Sequence, residues 1–182
     1  MRLSVCFWTK KAAGPEAHIF FFFSPPPHFP PSPQRETKDE NLFATSVSVL
    51  NSACELAYFT VLCSPLNATE LRREAGLERL SEAFSRCAGV ISRETNDEEP
   101  AASVCTNIMR CYSAAAQFEE CRERIIEVPS IVKELCRCLW LKGAPALTAA
   151  AIDCVCAFSI DTYLQNHMLQ NGAVWHLILL LL

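Results

Sequence analysis

Three stretches of this chain, residues 71–87, 121–139 and 163–182, each run from a short polar helix through a break into a longer apolar one. A bent helix pair recurring roughly every 40–50 residues marks armadillo and HEAT solenoids, whose units bury their apolar faces only by stacking on one another. The pattern predicts an all-α, armadillo/HEAT-like helical-repeat solenoid over residues 37–182, behind a disordered Pro/Phe-rich segment at residues 1–36. Such a stack offers a binding surface and no built-in active site. Because stacking needs a continuous core, residues 37–182 read as an excerpt truncated at both ends, which in isolation exposes an apolar flank and aggregates.

Apolar spacing of three and four residues places the helices. Phe43, Val47, Leu50, Cys54, Ala57 and Val61 paint one face of a long helix that Pro65 ends. Asn67 or Thr69 is expected to cap a short helix through Ala75, and Gly76 to break it where the chain turns sharply. Leu77, Leu80, Phe84, Cys87 and Ile91 form the next stripe. Residues 92–99 are a polar acidic loop, with Asp97, Glu98 and Glu99 near the positive end of a helix opened by Pro100. Val104, Ile108, Cys111 and Ala115 line that helix. A short helix over residues 119–127 follows, broken before Pro129. Ile131 or Val132, Leu135 and Leu139 mark the next, which the Lys142-Gly143 pair stops. Leu147, Ala151, Cys154 and Phe158 carry another helix, Asp161 caps a short one, and Gly172 separates it from the last. The resulting order is the three-helix armadillo plan, entered at a third helix and left after a second. Trp140 and Trp175, in apolar surroundings, read as core.

Residues 1–34 hold seven prolines, which forbids a packed helix or central strand. In residues 20–34 every amino acid except His28 and Gln34 has an all-pyrimidine codon, and Gln34 has CAG. A pyrimidine tract ending in CAG is how the 3′ end of an intron reads when translated, so this segment is interpreted as a non-native product of the gene model, with native coding starting near Arg35. The alternative is a proline-rich ligand for an aromatic groove.

A net charge of −4 gives no basic field for nucleic acid, so no nucleic-acid partner is expected. Residues 174–182 are strongly apolar but about half the ~20 residues of a membrane crossing, so no transmembrane segment is assigned. Eleven cysteines, an odd number without a recognisable secretory signal, read as reduced thiols that pack like small hydrophobes. The Asn67-Ala68-Thr69 sequon is then better read as a helix cap than as a glycosylation site. Cys136-x-Cys138 and Cys154-x-Cys156 invite a metal or redox reading. Residues two apart on a helix point about 200° from each other, however, so neither pair chelates one ion. His18, His28, His167 and His176 are scattered, and no phosphate loop, H-E-x-x-H, G-x-S-x-G or His-Pro-Asp string occurs. No catalytic residue, cofactor or metal is assigned, and the binding residues stay open. The helices over residues 101–116 and 144–159 hold no Trp, so the Trp–Asn ladder that grips extended basic signals is absent.

The strings SACELAYFTVLCSPLNATELRREAGLERLSEAFSRC (residues 52–87) and CYSAAAQFEECRERIIEVPSIVKELCRCL (residues 111–139) closely resemble the family of large endosomal J-domain proteins of receptor-mediated endocytosis, the DnaJ subfamily C member 13 family. The tail LQNHMLQNGAVWHLILLLL resembles the same region more loosely. The resemblance implies a non-enzymatic segment of the helical repeats that follow the J domain. It further implies a cytoplasmic place, peripheral on the early endosome membrane, and partners among the endosomal sorting machinery. Hsp70 is a partner of the full-length family member through its J domain. Without His-Pro-Asp, this chain does not take that partner itself. Two other readings stand beside this one: a free-standing armadillo adaptor, and a cysteine-based metal or redox protein.

Overall fold

A computed structural model describes residues 36–91, 97–141 and 143–182, with side chains from residue 46 onward. The proline-rich reading of residues 1–36 therefore lies outside the described residues except for Glu36, where the first helix begins. Lys142 is likewise outside, as are residues 92–96 of the acidic loop, and Phe43 lies in the part of the first helix whose side chains are not described. Among the described residues there are nine helices and no strand: α1 (Glu36–Cys63), α2 (Pro65–Arg73), α3 (Gly76–Ala88), α4 (Pro100–Ala115), α5 (Glu119–Glu127), α6 (Pro129–Cys138), α7 (Pro145–Phe158), α8 (Thr162–Gln170) and α9 (Ala173–Leu181).

The order is that of three-helix units. Helix α1 is a third helix, α2–α4 and α5–α7 are complete units, and α8–α9 are a first and second helix. Like stacks on like: the most extensive packing joins α1 to α4 and α4 to α7, while α2 meets α5 and α3 meets α6. Helix α4 sits at the centre, with 12 of its 16 residues buried. The stripes expected from the spacing point inward. Leu77, Leu80, Phe84, Cys87 and Ile91 are buried, as are Val104, Ile108, Cys111 and Ala115, and so are Leu147, Ala151, Cys154 and Phe158. Each large side chain removed from water this way contributes about 1.5–3 kcal/mol before the entropy of ordering is subtracted.

The helix ends follow local chemistry. Pro65, Pro100, Pro129 and Pro145 each open a helix, at the position where a missing N–H costs nothing. Asp161 caps α8 as expected, its Oδ1 accepting from the N–H groups of Tyr163 (2.8 Å) and Leu164 (3.0 Å). Asn67 and Thr69 do not cap. Helix α2 starts earlier, after Ser64, so Asn67 instead donates to the Thr60 carbonyl and Thr69 to the Pro65 carbonyl. Asp97 serves a different helix from the one next to it. Its carboxylate accepts from the Ala146 N–H at the start of α7 (3.0 and 3.2 Å), tying the loop of one unit to the third helix of the next.

Three further expectations change. Trp140 is 49% exposed and Trp175 72%, because Trp140 lies beyond the end of α6 and Trp175 on the outer side of α9. The sharp joint between α2 and α3 bends at Ala75, whose φ of 54° is left-handed, rather than at Gly76. Gly76 is required for another reason: a Cβ there would lie 2.8 Å from the Leu71 carbonyl oxygen and collide with the Leu71 side chain. Within α1, the stretch Ser46–Cys63 has a mean hydropathy of 1.3 and is long and apolar enough to cross a membrane by length and composition alone, which the periodicity does not single out. Its Val47, Cys54, Ala57 and Val61 are buried, on the side where α1 packs on α4.

The two glycine joints should respond differently. Gly76→Ala overpacks against backbone and is expected to cost about 1–3 kcal/mol in thermal or denaturant unfolding. Gly172 has φ +79° with nothing near a Cβ, so Gly172→Ala is expected to cost about 1–2 kcal/mol from backbone strain alone. Ala75→Gly should leave stability unchanged or raise it.

Candidate functional site

Helix α4 and the turn after it meet solvent along one line, where Ser103, Asn107, Arg110 and Ser113 recur at helical spacing and Gln117 follows beyond the helix end. Arg110 and Gln117 are exposed, and Asn107 is largely covered. This line is stitched to its neighbours by side chains. Asn51 on α1 presents Oδ1 to both the Ser103 hydroxyl (3.2 Å) and the Asn107 amide (3.0 Å). Ser113 donates to the Asp153 carbonyl of α7 at 3.4 Å. The third helices therefore share a continuous polar seam with one exposed cation, Arg110, at its middle. Spare donors and acceptors on such a seam suit hydrogen bonding to another protein's backbone or side chains. A polar stripe on an otherwise apolar helix is the signal this seam leaves in the sequence.

On the opposite side, the second helices α3 and α6 enclose a cleft of about 250 Å³ lined in part by Ser85, Ser130, Lys133, Glu134 and Arg137. Glu134 forms its floor and is 7% exposed. Ser81 Oγ donates to Oε1 at 2.7 Å, Ser85 approaches the same atom at 3.5 Å, and the Tyr112 hydroxyl donates to Oε2 at 3.4 Å. With its proton committed to Glu134, the Ser81 oxygen accepts from Ser130 at 2.9 Å. Three helices of two units thus converge on one carboxyl group. Burial pushes its pKa up from 4.5 to about 7, opposed by the hydrogen bonds from Ser81, Tyr112 and Ser85. Burial likewise raises the Tyr112 hydroxyl well above its ordinary value. Arg137 turns away from Glu134 and donates to the Ala88 carbonyl at 2.5 Å, closing the C-terminal end of α3. Glu134 and Ser81 both sit on apolar stripes, between Ile131 and Leu135 and between Leu77 and Phe84, and that placement is the mark they leave in the sequence.

The ten described cysteines are free thiols, and all but Cys63 and Cys156 are buried. Burial raises Cys54 to about 12, and Cys121 and Cys136 to about 11, and moves Cys111, Cys138 and Cys154 higher still. Cys154 is buried while Cys156 is exposed, so that pair points apart as helical geometry requires. Cys136 and Cys138 are both buried. Among the described residues, no three His, Cys, Asp or Glu side chains are gathered as a metal would need. His167 lies half-buried on α8, and His176 rests against the Trp140 ring at 6.1 Å, so the structure does not bring them together. His18 and His28 fall outside the described residues. Glu98 and Glu99 stay exposed.

Between pH 4.5 and about 7, folded Glu134 holds a proton that the unfolded chain releases. Stability from this group is therefore complete below about pH 4.5 and falls as pH rises through 7, by on the order of 3 kcal/mol. Glu134→Gln, which keeps the acceptor for Ser81, should abolish that slope in melting curves recorded at pH 5 and pH 8. Thiol alkylation of the native chain should modify Cys63 and Cys156 ahead of the other described cysteines, which should react once denatured; fast labelling of native Cys136 or Cys154 would contradict the core assignment.

No family model matches the chain, and no solved structure matches it. Over 147 residues, 80% of its length, the chain is 37% identical to DnaJ homolog subfamily C GRV2 of Arabidopsis thaliana. It spans only 6% of that relative's length. This similarity over the stacked helices supports membership of the DnaJ subfamily C, at the level of the family and not of one particular member.

Proposed function

We propose that the chain is a non-catalytic scaffold segment of an endosomal J-domain co-chaperone of the subfamily C member 13 type, acting in receptor-mediated endocytosis and early-endosome sorting. Its place is then the cytoplasmic face of the early endosome, and its partners are proteins of the sorting machinery. The observation that carries the scaffold reading is the seam along α1, α4 and α7, where the hydrogen-bonded Asn51, Ser103 and Ser113 stay partly open to solvent beside the exposed Arg110. The kinship to a DnaJ subfamily C protein supports the co-chaperone setting. The absence of a His-Pro-Asp string from the sequence supports a role apart from Hsp70 stimulation.

Two experiments test this. Fused to a biotin ligase in cells, the chain should label endosomal sorting proteins above a helical control of equal size, and Arg110→Glu should remove the enrichment without changing helical content. Equal labelling by chain and control refutes the reading. Added to Hsp70 and ATP, the chain should leave turnover unchanged, and stimulation would show that it carries a J-type activity.

A further inference from the structure

Both walls of the cleft between α3 and α6 belong to complete three-helix units, and its lining sorts by chemistry into cations, hydroxyls, one carboxyl group and an apolar strip. Lys133 and Arg137 stand one turn apart on α6, both exposed. Lys133 has no ion-pair or hydrogen-bond partner among the described residues. Arg137 commits only Nη2, to the carbonyls of Ala88 and Ile91, so its Nη1 and Nε keep N–H groups to offer. Ser85 is exposed and held to Glu134 Oε1 only at 3.5 Å, and the half-buried Ser130 bonds Ser81 at 2.9 Å. Phe84 and Ala88 form the apolar strip beside them. Glu134 is the one carboxyl group lining this cleft among the described residues, and it is more than nine-tenths buried.

We propose that the cleft binds a carboxylate side chain of a partner protein, its oxygens taking N–H and O–H groups from Lys133, Arg137, Ser85 and Ser130 while its methylene stem lies along Phe84 and Ala88. Charge selects the guest. Two cations over one ionised carboxylate leave a single surplus positive charge, which matches a carboxylate and falls short of a phosphate near −2. A cationic guest meets Lys133 and Arg137 and is repelled. Size agrees, since about 250 Å³ is less than a whole cofactor needs and enough for one side chain. Glu134 then tunes the affinity. Burial pushes its pKa up to about 7, so on the acid side the floor is neutral, and on the alkaline side it is ionised and opposes the guest. The other titratable groups near it stay neutral, Tyr112 and Cys138 through burial and Cys105 through its hydrogen bond to Cys87 and burial. Helix α3 presents hydroxyls to it, from Ser81 and Ser85. Binding therefore weakens as pH rises through 7. The cleft lies on the opposite side of the stack from the seam, so its guest is independent of the one the seam takes.

The test is a heteronuclear NMR titration of the full 182-residue chain with N-acetylglutamate amide, its glutamine counterpart and inorganic phosphate. The glutamate probe should give saturable shifts at Ser85, Ser130, Lys133 and Arg137 at millimolar concentration, about five- to tenfold tighter at pH 6 than at pH 8, and the glutamine probe none. Lys133→Glu should abolish these shifts and Lys133→Arg should keep them, both at an exposed position. Glu134→Gln should bind the glutamate probe equally at the two pH values. Where Glu134→Gln fails to fold, the Lys133 variants and the glutamine probe decide. No saturable shift with the glutamate probe overturns the proposal, as does an equal response to glutamine. So does undiminished binding by Lys133→Glu, a pH slope that survives in folded Glu134→Gln, or phosphate bound more tightly than the glutamate probe.

Discussion

The enclosure of α4 between α1 and α7 is the constraint on which the rest of the structure depends. A helix of 16 residues with 12 buried cannot exist alone, because its apolar surface runs most of the way around. It becomes a helix by being covered, α1 on one side, α7 on the other and α3 beneath. Each unit's stability is thus partly lodged in its neighbours, the nearest-neighbour behaviour of stacked repeats. The hydrogen bonds at Asn51 and Ser113 add direction to this packing. They fix how far one third helix slides against the next, which apolar contact alone leaves loosely specified.

Glu134 shows a second way of fixing relative position. Burying a carboxyl group is unfavourable unless partners replace water, and here the partners come from α3 and α4 of the preceding unit. Displacing α6 against α3 would strand the group, so the penalty for a wrong arrangement is large even where the net contribution of the right one is small. Asp97, reaching from the loop before α4 to the first turn of α7, makes a third cross-unit tie. All three ties join residues roughly 20–60 positions apart in sequence, between units and never merely within one helix.

Most of the fold was legible because periodicity reports burial directly. The stripes through Leu77 and Phe84, Val104 and Ile108, and Leu147 and Phe158 needed only their three- and four-residue spacing, and Pro65, Pro100 and Pro129 marked joints. Side-chain type alone misled at Trp140 and Trp175, since a large apolar residue at the edge of a stack is indistinguishable in sequence from one inside it. Asn67 and Thr69 misled because a capping residue works only at one position relative to a helix start, and the start came at Pro65. The candidate seam and the Glu134 cluster left only polar residues on apolar helices as a mark, which does not say what they touch. Their meaning lies in partners such as Asn51 and Asn107, which only the stack brings together.

The composition of the third helices has a geometric outcome. Helices α4 and α7 are rich in alanine and cysteine, short side chains that let helix axes draw together, whereas α3 and α6 meet across Phe84, Leu135 and the serine-lined cleft. Contacts between third helices are correspondingly the denser ones. The third helices therefore carry most of the cohesion between units, while the second helices leave room between them for a cleft. A substitution that enlarges one of the small side chains of α4 is felt on both of its neighbours at once, whereas the edge formed by α3 and α6 has space to absorb one.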